Sequence, residues 1–160
     1  MNYKIPGLLS IILFFSAMGI ADYQLFTVSA MLGFALVIGF PLTLLNTLYF
    51  YCRKCPHVTQ KNCRHVIFGF IVYKLFKPLE PSKYELKEII SAILPMAIVI
   101  MLSQYWLIQN RNLFIVFWVL MLISIITIRV SVCTVCGNSN CTMCRNTQNA
   151  TKCFSGKQTG

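Results

Sequence analysis

Acidic residues are scarce in this chain. Asp22, Glu80, Glu85 and Glu88 are the only four in 160 residues, and charged residues of both signs make up 11% of the total. No pair of carboxylates is set for acid–base work, no glycine-rich run forms a phosphate loop, and no nucleophile is spaced with a base and an orienting group. The histidines, His57 and His65, each lie two residues from a cysteine, so ligation accounts for both. Ionisable groups are also missing at mid-depth in the long apolar runs, where only Ser, Thr, Asn46 and Gln104 are polar. Ion and proton pathways use intramembrane charge, so this absence argues against a pump or a proton-coupled carrier. No catalytic residue is assigned.

Apolar residues are abundant. They make up 57% of the chain, mean hydropathy is +0.69, and an 18.2 kDa soluble domain could not bury that much apolar surface. Four runs stand out, at about 5–20, 25–50, 86–108 and 113–132. A helix rises about 1.5 Å per residue, so some twenty residues cross a hydrocarbon core of about 30 Å. The fold class expected is an all-α integral membrane protein, with four transmembrane helices arranged as two hairpins under a cytoplasmic Cys/His-rich metal-binding cap. Residues 1–51 form the first hairpin, 52–85 a Cys/His loop with an interfacial helix, 86–132 the second hairpin and 133–160 a Cys-rich tail. Pro41 and Pro95 are candidate kinks. A cleavable signal peptide over residues 1–21 is the rival reading of the first run: Lys4, an apolar stretch, then Gly19-Ile20-Ala21.

The surplus of positive charge sets the orientation. Of fourteen Lys and Arg, only Arg111 falls in a short hairpin turn; the others lie at the N-terminal tip, in the Cys52–Glu88 loop, at the end of the fourth run and in the tail. The positive-inside rule therefore places both termini and the large loop in the cytoplasm. Tyr105 and Trp106 would mark the outer interface, and Tyr49, Tyr51 and Tyr84 the inner one. Topology alone explains where the cations sit, so nucleic acid is not an expected partner; the lipid bilayer is. Ser29-x3-Gly33 and Ala35-x3-Gly39 offer close-packing surfaces for neighbouring helices or another membrane protein.

The chain reads as a doubled unit. Adding 81 to Cys52 and Cys55 gives Cys133 and Cys136, and the first and second runs fall on the third and fourth. Two parallel halves would then be related by an axis along the membrane normal. Between them, residues 65–77 are apolar with a basic end and too short to span, which suits an interfacial helix. Ser82-Lys-Tyr-Glu85 has the form of a capping box opening the third span.

The cysteines carry whatever chemistry is present. The loop holds Cys52-x2-Cys55-Pro-His57-x5-Cys63-x-His65, and the tail holds Cys133-x2-Cys136-Gly-x3-Cys141-x2-Cys144, with Cys153 beyond. Two cysteines three apart in a tight turn can point at one ion. Four residues between the tail pairs are fewer than a self-contained ribbon uses. The pairs are therefore expected to pool: Cys52, Cys55, Cys133 and Cys136 as one tetrahedral set, and Cys63, His65, Cys141 and Cys144 as a second, with His57 in reserve.

Zinc is the expected metal, since thiolate-rich sites suit it and cytosolic thiols stay reduced. Such a site would be structural, in a scaffold or accessory subunit of a membrane complex. Iron–sulfur electron transfer is the alternative cofactor reading, although the C-x2-C-x2-C-x3-C-P run is missing. Thiol–disulfide exchange or metal handling is a further one. Asn149-Ala-Thr151 matches a glycosylation triplet, but on the side assigned to the cytoplasm.

Overall fold

The computed structural model describes residues 4–55, 66–77, 79–80 and 82–133. Regular structure among them is all helical: α1 Lys4–Val28, α2 Ala30–Thr47, α3 Val66–Leu75, α4 Leu86–Leu107 and α5 Arg111–Thr127. Both α2 and α5 continue into five-residue π-helical ends, Leu48–Cys52 and Ile128–Val132. Four stretches are long and apolar enough to cross a membrane: Ile5–Val28, Ala30–Cys52, Leu86–Leu107 and Arg111–Ser131. They leave large apolar side chains exposed along their lengths, including Met31 at 83% and Ile38, Met101 and Ile126 at about 60%. Patches of that extent call for lipid or a partner rather than water. The short α3 falls where the interfacial helix is expected.

The first hairpin differs from its sequence reading. Asp22, Tyr23 and Gln24 look like a polar turn, yet α1 runs through them to Val28. Ala17, Ala21 and Leu25 recur every four residues and all are buried, so continuing the helix keeps one packing stripe intact. Asp22 consequently lies inside a candidate span. The chain turns at Ser29 alone, whose backbone is extended (φ −159°, ψ 127°). Directly after it the Phe26 ring covers Gly33, where a Cβ would overlap the ring. The Ser29/Gly33 pair thus packs its own hairpin, while Gly39 has nothing within 4 Å of the place a Cβ would occupy. The second hairpin turns at Ile108–Asn110, and Asn110 caps α5 by accepting the Leu113 N–H at 3.4 Å.

Pairing runs across the hairpins as well as within the first: α1 packs most extensively against α5, α2 packs against α4 and equally against α1, and α1 also touches α4. Phe14, Phe15 and Phe40 cluster between α1 and α2. Lipid offers helices no hydrophobic reason to associate, so small residues and polar bonds hold them. Ala17, Ala21 and Ala92 are fully buried. Ser124 Oγ donates to the Ser10 carbonyl at 2.8 Å, Asn46 Nδ2 to the Ser91 carbonyl at 2.6 Å, and Thr47 Oγ1 to the Ala92 carbonyl at 2.8 Å.

The 81-residue register recurs here. Ser29 and Asn110 precede α2 and α5, which start at Ala30 and Arg111. Ser10 and Ser91, 81 apart, each receive a side-chain bond from the helix of the other hairpin. The halves depart from strict repetition at the turns, one residue long in the first and three in the second.

Candidate functional site

The start of α4 departs from the capping box read at Ser82–Glu85. Ser82 is exposed and not helical, and Glu85 is the cap residue (φ −78°, ψ 151°). Glu88, three residues on, accepts the Glu85 N–H through Oε2 at 3.0 Å. Its other oxygen meets Lys54 Nζ at 2.6 Å, and both side chains are about 15% exposed. This ion pair pins Glu88 and shifts the box by three residues.

Lys54 belongs to the Cys52-Arg-Lys-Cys55 turn, which is held from several sides. The Cys55 N–H donates to the Cys52 carbonyl at 3.1 Å, closing the turn. Arg53 lies over the Tyr49 ring at 4.4 Å and donates through Nε to the Lys77 carbonyl, while the Leu79 N–H donates to the Arg53 carbonyl. Tyr51 and Tyr84 stack at 4.6 Å, and the Tyr84 hydroxyl donates to the Tyr51 carbonyl. On the other face Val72 of α3, fully buried, packs with Leu48, Cys52 and Cys55. The turn is therefore seated between α3 and α4. Cys52 and Cys55 carry thiols and are half-buried.

Cys133 follows the π-helical end of α5 and is buried. The Ser124–Ser10 bond brings that end of α5 to the start of α1, and the Asn46–Ser91 bond brings the end of α2 to the start of α4. An apolar groove joins these pairs, since residues of early α1, late α2 and α3 line it together. Both Cys-x-x-Cys motifs thus begin at one end of the bundle, as their antiparallel spans require.

Cys133 is disulfide-bonded, and its sulfur partner lies outside the described residues. Among the described residues no three His, Cys, Asp or Glu side chains gather as a metal site would. Cys136 completes the first expected ligand set, and Cys63, His65, Cys141, Cys144 and His57 make up the second and its reserve; all lie outside the described residues.

Sequence reasoning missed Asp22, the one aspartate of the chain. Among the described residues its Oδ1 is buried without a hydrogen-bond partner, and so is Oε1 of Gln104. The signal was present: an uninterrupted four-residue stripe through Ala17, Ala21 and Leu25.

No protein-family model matches the chain, and no curated protein or solved structure shows significant similarity to it.

Proposed function

We propose that this is a multi-pass membrane protein with a thiolate-rich zinc cap on its cytoplasmic face, acting as a scaffold or accessory subunit of a membrane complex. The supporting observation is the convergence of the two motif starts, Cys52 and Cys133, at one end of a four-helix bundle whose pairing runs between hairpins. A metal held there would clamp the hairpins together. The cations of the loop and tail assign that end to the cytoplasm. Cys52, Cys55, Cys133 and Cys136 supply one set of donors and Cys63, His65, Cys141 and Cys144 the other, with His57 in reserve. Zinc would contribute a closed tetrahedral site whose role is structural. Cys133 ligates only after its disulfide is reduced, as a reducing cytosol would ensure.

That same disulfide favours a second reading. Cytosolic disulfides are usually transient and catalytic, and the thiols of Cys52 and Cys55 share the end of the bundle with it. Exchange would oxidise one dithiol to a disulfide and reduce another disulfide to a dithiol, moving two electrons and two protons without an outside oxidant.

Anaerobic purification, elemental analysis and thiol titration test both. Stoichiometric zinc with reduced cysteines supports the scaffold. Metal-free protein with a disulfide that equilibrates with glutathione supports the oxidoreductase. Brown protein bleached by dithionite overturns both in favour of an iron–sulfur cluster.

A further inference from the structure

Among the described residues, a groove lies at the cysteine end of the bundle. It runs between early α1, late α2 and α3 and has a volume of about 550 Å³, within the range of about 300–1,000 Å³ typical of small-ligand sites. Its walls are almost wholly apolar: Leu8, Ile12 and Phe15 from α1, Leu44 from α2, and Phe68 and Ile71 from α3. The α1 wall extends from Leu8 to Ser16, about 12 Å along the helix axis. The α1 and α2 linings lie inside candidate spans, so the groove belongs to the depth of lipid chains.

Cations follow its α3 wall along the chain. Lys74 stands three residues after Ile71, one helical turn further along the lining stripe of α3, and Lys77 follows directly beyond the helix. Both are exposed, and neither is in an ion pair among the described residues. Arg53 joins them, bonded to the Lys77 carbonyl. Two of the chain's four acids, Glu85 and Glu88, are already bound to Lys87 and Lys54. An apolar groove whose α3 wall runs on into cations fits a molecule that is a hydrocarbon chain at one end and an anion at the other.

We propose that this groove is a binding site for an anionic phospholipid, with one acyl chain lying between α1 and α3 and the phosphate facing Lys74, Lys77 and Arg53. The site rests on the membrane reading of the four spans. It requires neither zinc nor any oxidation state of the cysteines.

The full chain is reconstituted into phosphatidylcholine vesicles carrying trace acyl-chain spin-labelled phosphatidylglycerol or phosphatidylcholine. Flotation is scored first: protein that stays at the bottom of the gradient overturns the membrane reading, and the site with it. In floating protein, a saturable immobilised signal is expected that prefers phosphatidylglycerol by about fivefold or more, as one interfacial cation supplies. Lys74→Glu with Lys77→Glu should abolish the preference, whereas Arg111→Glu at the opposite end should leave it. Ile71→Trp, or Ser16→Leu on the α1 wall, should remove the saturable signal for either headgroup with helical circular dichroism unchanged. Equal immobilisation of the two labels, or a preference that survives K74E/K77E, overturns the site. So does a saturable signal unaffected by both groove-filling variants.

Discussion

Ser124 of α5 donates its hydroxyl to the backbone carbonyl of Ser10 on α1 across 2.8 Å, and both residues are buried. Eighty-one residues after Ser10, the Ser91 carbonyl is bonded by Asn46 of α2 in the same way. The two bonds tie each hairpin to the other, and they hold the cysteine end of the bundle together. Removing them tests the pairing of helices. Ser124→Ala and Asn46→Leu should each destabilise the bundle by about 0.6 kcal/mol, and at most about 1.7. They act on different helix pairs, so the double variant should show the sum to within about 0.5 kcal/mol. Unfolding in mixed detergent reads all three.

The glycines of α2 should behave oppositely. A methyl group at Gly33 overlaps the Phe26 ring, so Gly33→Ala should cost about 1–3 kcal/mol. Phe26→Leu should recover part of that loss. Gly39→Ala meets nothing within 4 Å and should leave the isolated chain as stable as before.

Glu88 rather than Ser82 should govern the start of α4. Glu88→Gln loses the Lys54 ion pair and weakens the bond to the Glu85 N–H, at a cost of about 1.5–3 kcal/mol for charged hydrogen bonds. Ser82→Ala should change neither stability nor metal content, because Ser82 is exposed ahead of the helix. Thermal unfolding of the two variants side by side decides which residue caps.

The zinc cap predicts that the motifs act together. Cys52→Ser with Cys55→Ser should remove the zinc of the first set, including retention through Cys133 and Cys136, since half a tetrahedral site holds zinc weakly, and should leave the zinc of the second set in place. Elemental analysis after gel filtration checks this. Retention of both equivalents would show that Cys133 and Cys136 hold their zinc without the loop pair.

Orientation has its own test. An impermeant thiol reagent applied to intact cells should leave the reduced cysteines unlabelled, and should label them after the membrane is opened. Labelling from outside would reverse the assignment made from the cations.

The four long apolar helices and the short helix between them were legible from composition and run length, because crossing a bilayer imposes a length and a polarity on a helix. The 81-residue register and the shared end of the two motifs followed from counting spans. The hairpin turn was misread because Asp22-Tyr23-Gln24 is locally turn-like; the stripe of Ala17, Ala21 and Leu25, which overrides it, matters only against a neighbouring helix. The capping box was displaced for the same kind of reason. Ser82–Glu85 and Glu85–Glu88 both present a polar residue three before a glutamate, and Lys54, thirty-four residues before Glu88, selects the second.

Sequence by itself determined the helices among the described residues, how they alternate and that Cys52 and Cys133 lie at one end of the bundle, since those depend on local periodicity and run length. Only the tertiary structure decided that α1 packs against α5 and α2 against α4, that Asp22 lies within a candidate span, and that early α1, late α2 and α3 line one apolar groove. Pairing among apolar helices is set by a few small residues and buried hydrogen bonds. Their partners are distant in the chain, so no local pattern announces them.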